Sequence, residues 1–167
     1  MKYKYVPNVA VRLVKEPPVF NCKIRVTDTT AAITAVKEYL RSMDRECFCE
    51  LCLDIKANPI CFNIVSIGTL DASLVSPREV FKPAILANAA SIILFHCHPS
   101  GELKESLNDV ATTDRLIKAG NTLGIQVLDH IIVGCNSEDF MSMRSMHTYR
   151  ETEIYAESLK ELNFKED

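Results

Sequence analysis

The stretch FHCHPSGELKESLND, Phe95 to Asp109, holds two histidines one residue apart and an aspartate eleven positions past the second. In extended backbone, residues i and i+2 project to the same side, so the imidazoles of His96 and His98 can converge on one point. Pro99 and Gly101 turn the chain sharply, and a helix opening at Ser106 would return Asp109 to the same place on its first turn. Two nitrogens and one carboxylate fill three positions of a tetrahedral Zn2+ and leave the fourth for water, the pattern of a catalytic site. The spacing favours this reading but admits a plainer one. Ser106-Leu107-Asn108-Asp109 fits a capping box, with Ser106 at N-cap and the acid at N3, and such a cap needs no histidines upstream. Cys97 alternates to the opposite side and is expected to pack rather than ligate.

These residues have to be positioned by regular elements. Thr27-Asp28-Thr29-Thr30 supplies N-cap chemistry for a helix through about Met43, with Ala32, Ile33, Val36, Tyr39 and Leu40 on one face. CFCELCLDI and ICFNIVSIG read as strands joined by a turn at Ala57-Asn58-Pro59, a hairpin. Ser76-Pro77 starts a second helix, expected to run to about Asn88. SIILF is a short apolar strand of the kind buried on both faces, and it leads into the histidines. Ser106 to Leu123 reads as a helix stopped by Gly124, and IQVLDHIIVG as a further strand. A charged helix is expected after Tyr149. Helices alternating with apolar strands predict an α/β fold, a three-layer helix–sheet–helix sandwich. Its sheet must be mixed, because the Ala57-Asn58-Pro59 connection is too short for a parallel crossover.

The chain of 167 residues suits one domain with a real core. The expected organisation is an N-terminal edge strand and turn over 1–26, the main domain over 27–134, and a C-terminal strand and helix over 135–167 packing on it. The net charge of −3 counts against broad phosphate contact as the source of binding. Seven cysteines are present, but their odd number, the crowding of Cys47, Cys49 and Cys52 in one strand, and an N-terminus without a signal-peptide pattern point elsewhere than a disulfide framework. They read as mostly small buried apolar residues of a reducing, cytoplasmic protein. No run reaches the length of a membrane span.

His96-x-His98, ten residues and Asp109, with Pro99 and Ser106 in register, resembles the JAMM motif of the JAB/MPN metalloprotease superfamily. HCHPSG, the stretch from Thr69-Leu70 to Ser76-Pro77-Arg78-Glu79, Asp109-x-x-x-Thr113 and LGIQVLDHIIVG together resemble its RadC-like branch, over about Thr27 to Gly134. The resemblance implies a JAB/MPN (cytidine-deaminase-like) architecture and one Zn2+ ion on His96, His98 and Asp109. It also implies hydrolysis of an amide or isopeptide bond in a peptide or protein by metal-activated water. Family members place a glutamate near the first central strand as general base, and the match is Glu46. Glu50, four residues on and on the same face, is its rival. Ser106 corresponds to the family serine that donates to the developing oxyanion. Longer members carry a helix-hairpin-helix segment, for which the portion before Thr27 is too short, so the chain resembles the short, single-domain forms. Cys97 stands where asparagine is common.

Other readings compete. The family's historical DNA-repair label prompts a nucleic-acid-associated module, which the acidic balance does not favour. A zinc deaminase requires H-x-E and P-C-x-x-C, neither of which is present. A metal-holding scaffold that binds partners with little turnover is the remaining alternative. Asp129 and His130 could form a pair that supports the metal ligands, although a satisfied, partly buried strand histidine is the expectation for His130. Asp114 and His147 are expected at the surface, and Arg78 and Glu79 at a helix start.

Overall fold

The computed structural model describes residues 10–17, 22, 24–68, 75–134 and 138–144. Helix α1, Thr29–Arg41, starts where the Asp28 carboxylate accepts a hydrogen bond from the Ala31 amide at 2.7 Å. It buries Ala32, Ile33, Val36 and Leu40 along one stripe, the spacing its sequence predicts. Strand β1, Cys47–Leu53, is buried along its whole length. The turn that follows is held by Asp54, whose carboxylate accepts from the amides of Lys56 at 2.8 Å and Asn58 at 2.9 Å. Strand β2, Pro59–Ile67, then returns antiparallel to β1, with Pro59 at the first strand position, where the missing amide costs least.

Helix α2, Pro77–Leu86, has Pro at N1 and Ser76 at N-cap, but the Ser76 side chain makes no capping bond. Strand β3, Ser91–His98, runs three residues past the SIILF core, so both histidines lie on the strand itself. Helix α3, Leu107–Leu123, opens on Ser106 with both halves of a capping box and closes on Gly124 at φ 68°, a left-handed position where glycine carries no Cβ penalty. Strand β4, Gln126–Gly134, and strand β5, Phe140–Ser142, complete the described elements.

The sheet order is β2-β1-β3-β4-β5, and only β3 and β4 pair in parallel, linked by the α3 crossover. The sheet is therefore mixed, as the short hairpin connection requires. One face packs Cys49, Leu51, Ile93, Phe95 and Leu128 against α1. The other packs Phe48, Ile92, Leu94 and Ile132 against Val80, Phe81 and Ala84 of α2 and Leu116 and Ile117 of α3. That is the three-layer sandwich, with the histidine-bearing face turned toward α3.

Two expectations need correction. Residues 10–17 form no strand, and Val11 and Val14 are largely exposed. Their alternation is short and charged, and alternation alone supplies no pairing partner. Cys97 is disulfide-bonded, whereas Cys22, Cys47, Cys49, Cys52 and Cys61 are free. Asp114 is half-buried on α3. The helix expected after Tyr149, the Thr69-Leu70 stretch and His147 lie outside the described residues.

Candidate metal centre

Strand β3 and the N-terminus of α3 bring three ligating groups together. One ligand atom from each of His96, His98 and Asp109 lies within 4.8 Å of the others. The two rings stand edge to face with centroids 4.2 Å apart, the outcome of i and i+2 placement on one face. His96 Nδ1 comes within 3.0 Å of Asp109 Oδ1, yet the approach is off line for a hydrogen bond. Neither ring nitrogen of His96 has a hydrogen-bond partner among the described residues. Buried polar atoms left in that state call for an explanation. A cation shared with Asp109 would account for one of the two nitrogens, so the residues present fit a divalent metal.

Each ligand is oriented by a second contact. His98 Nδ1 lies 2.5 Å from the Glu102 carbonyl oxygen. A carbonyl only accepts, so Nδ1 carries the hydrogen and Nε2 keeps its lone pair for a metal. Asp109 Oδ2 accepts from the Ser106 amide at 2.8 Å and the Ser106 hydroxyl at 2.6 Å, while Ser106 Oγ accepts from the Asp109 amide at 3.1 Å. Burial by itself would raise the Asp109 carboxyl, but His96 and the Ser106 hydrogen bonds outweigh it and hold the acid well below the usual carboxylate range. Asp109 is thus an anion ready to ligate. The capping box and the ligand set are the same residues, so the two readings of this segment coexist. The Ser106 hydroxyl proton is committed to Asp109 in this arrangement.

The register separates the two glutamates. Every β1–β3 pair follows one line, with Phe48 opposite His96 and Glu50 opposite Leu94. The Gly68 amide donates to the Glu46 carbonyl at 2.8 Å, and continuing the β1–β3 register one rung places Glu46 level with His98. Glu46 is half-buried. Glu50 lies about 13 Å further along β1 at a rise of about 3.3 Å per residue. It is fully buried, and its Oε1 accepts from Asn63 Nδ2 at 3.1 Å. Burial pushes Glu50 up to about 8.

His130 was underestimated by sequence reasoning. Asp129 and His130 do not pair through their side chains, because they face opposite sides of the sheet. Asp129 accepts from Thr29 Oγ1 at 3.1 Å and Ser142 Oγ at 2.8 Å on the α1 side. His130 is fully buried on the metal side, its ring stacked 6.2 Å from His96 and 5.2 Å from Phe48. Its Nδ1 lies 2.7 Å from Thr113 Oγ1, which itself donates to the Asp109 carbonyl at 2.6 Å. His130 Nε2 has no partner among the described residues. Burial first, with the neighbouring His96, pushes it down to about 3, so the ring is neutral. The i, i+4 spacing of Asp109 and Thr113 was the one available signal for this contact. Arg78 and Glu79 are exposed at the start of α2, and Glu79 pairs with Lys82 at 2.8 Å.

No helix among the described residues is long and apolar enough to cross a membrane. Comparison with known proteins gives one family. The model of the RadC-like JAB domain matches residues 26–148, slightly beyond the span of the resemblance. A UPF0758 protein of Desulforamulus reducens is 51% identical over 110 residues, covering 66% of this chain and 48% of that protein. A second, from Caldanaerobacter subterraneus, is 48% identical over 109 residues, covering 65% and 47%. A third, from the archaeon Methanosarcina barkeri, is 43% identical over 112 residues, covering 67% and 49%. The chain spans about half the length of the curated relatives it matches. With the mixed sheet and the His96, His98 and Asp109 cluster as its structural counterparts, this match shows that the chain belongs to the RadC-like JAB domain family.

Proposed function

We propose that the chain is a zinc-dependent metallohydrolase that cleaves an amide or isopeptide bond in a peptide or protein. The observation that carries this reading is the convergence of His96, His98 and Asp109 ligand atoms within 4.8 Å, with neither nitrogen of buried His96 in a hydrogen bond among the described residues. Two nitrogens and one carboxylate match a zinc site that keeps one position open. When bound, zinc would supply Lewis acidity and lower the pKa of water to about 7. Glu46, just before β1, would take a proton and return it to the leaving amine, a role supported by the β1–β3 register, which continued by one rung sets it level with His98. Glu50 is too deep in the sheet for that work. Ser106 would donate to the developing oxyanion once its proton leaves Asp109, a contact typically worth about 3 kcal/mol.

One observation favours a second reading, a partner-binding module that holds metal with little turnover: the Ser106 proton is committed to Asp109 Oδ2 at 2.6 Å. A DNA-associated role gains nothing from the net charge of −3. The test combines metal analysis with quenched-fluorescence peptide and isopeptide substrates. Wild-type protein should carry one zinc per chain and cleave. His96→Ala should lose both properties, whereas Glu46→Gln should keep the zinc and lose turnover. Zinc binding by His96→Ala at parental affinity would sink the metal assignment. Full zinc loading without cleavage across the panel would favour the second reading.

A further inference from the structure

The β1–β2 hairpin carries a pair of thiols far from the metal centre. Cys52 and Cys61 are directly opposite partners in the antiparallel register, and both are free. Opposite residues in such a pair project to one face with Cα atoms about 4.5–5.5 Å apart, inside the roughly 4.4–6.8 Å that a disulfide spans. Both pack on the α2 side of the sheet, Cys52 fully buried and Cys61 half-buried near the edge.

The surroundings of the two thiols differ in kind. The facing Cys52 thiol holds the Cys61 thiol below its ordinary value against the opposing effect of burial, and the Lys15 cation adds to the pull. The Cys52 thiol is pushed up by the facing Cys61, by burial and by Glu50. A partly accessible thiol with a depressed pKa, facing a second thiol, is the setting in which cysteines oxidise selectively and reversibly. The other close pair lacks it. Cys47 and Cys49 Sγ atoms are 3.9 Å apart, but both are buried on one extended strand. Nor do Cys52 and Cys61 gather a third ligand for a soft metal. His96, His98 and Asp109 are the one metal-capable group among the described residues.

We propose that Cys52 and Cys61 form a hydroperoxide-responsive dithiol site that closes into a cross-strand disulfide. The Cys61 thiolate attacks the terminal peroxide oxygen, the O–O bond breaks, and the leaving hydroxide or alkoxide takes up a proton to depart as water or alcohol. The sulfenic acid on Cys61 is then attacked by the Cys52 thiol, the S–O bond breaks, and water departs as the S–S bond forms. Two thiols lose two electrons and two protons, and the peroxide takes up both. Cys52 sits about 20 Å along β1 from Glu46 at about 3.3 Å per residue, so the site does not depend on the metal reading.

The test uses the full chain, reduced, desalted and exposed to a small excess of hydrogen peroxide, then alkylated and digested without reductant. Mass spectrometry should find tryptic peptide 46–56 joined to peptide 57–78 through Cys52 and Cys61, with loss of two hydrogens. In the reduced protein, iodoacetamide should label Cys61 before Cys52. Cys61→Ser should abolish the link, Cys52→Ser should leave a Cys61 sulfenic acid that dimedone traps, and Lys15→Gln should slow closure several-fold. The wild-type peptide map decides the matter even if a variant fails to fold. Over-oxidation of Cys61 without a link, or a link that forms through another cysteine instead, would overturn the proposal.

Discussion

Replacing Ser106 by Ala separates its two roles. The side chain accepts from the Asp109 amide at 3.1 Å and donates to the Asp109 carboxylate at 2.6 Å. Loss of an N-cap hydroxyl costs about 1 kcal/mol. A hydrogen bond to a charged acceptor is worth about 1.5–3 kcal/mol, but Ser106 is exposed, and water can take part of its place. A total of about 1–2 kcal/mol follows, which for a chain of this size lowers Tm by about 2–8 °C. The metal effect is additional. Removing a group that orients a ligand typically costs about 10–100-fold in metal affinity. At fixed free zinc above both dissociation constants, that removes a further ~1.4–2.7 kcal/mol of metal-derived stability. The Tm deficit of Ser106→Ala should therefore be larger with zinc than without it. Thermal unfolding with and without zinc, beside competition against a chelating dye, measures both terms. Ser106→Thr, which retains the hydroxyl, should recover most of each. Equal deficits in the two conditions, with zinc affinity unchanged, would show that Ser106 caps the helix and does nothing for the metal.

Three further outcomes are expected. Glu50 is raised from 4.5 to about 8 by burial, so its unfolded carboxyl ionises first. Its stability contribution is full below pH 4.5 and is lost as pH rises through 8, at about 1.4 kcal/mol per unit and about 5 kcal/mol at most. Denaturant titration should show Glu50→Gln gaining on the parent across that window, and parallel pH profiles would refute it. Thr113→Val leaves buried His130 Nδ1 without its partner at 2.7 Å and should cost about 1–3 kcal/mol, with Thr113→Ser restoring most of it. In Gly120→Ala the new Cβ would meet the Ile125 carbonyl oxygen at 2.5 Å. The last turns of α3 must then shift from β4, at about 1–3 kcal/mol, read as a lower urea midpoint.

Much of the architecture is legible where short-range chemistry decides. Asp28, Ser106 and Gly124 mark helix ends because the groups they satisfy lie within a few residues. The strand ends are less so: SIILF stops being uniformly apolar at His96, yet β3 continues through His98 because backbone pairing to β1 and β4 runs on regardless of side-chain polarity. The segment 10–17 shows the opposite error, since its alternating pattern finds no strand to pair with. The buried acid Glu50 was equally invisible. A carboxyl with a partner such as Asn63 across the hairpin can sit in a fully buried strand, and no local pattern announces it.

The sequence by itself determined the local grammar of the site: two imidazoles on one side of a strand, a turn, and a carboxylate on the first turn of a capped helix. Those relations depend on backbone geometry over fewer than fifteen residues, which sterics restrict to a few options. Only the tertiary structure decided that β3 lies between β1 and β4, that Glu50 stands opposite Leu94, and that His130 backs His96 while its neighbour Asp129 faces α1. Alternation assigns adjacent residues to opposite faces but leaves open which strand comes next and at what register. Those choices are made by the burial of both sheet faces at once, and they join residues that are far apart in the chain.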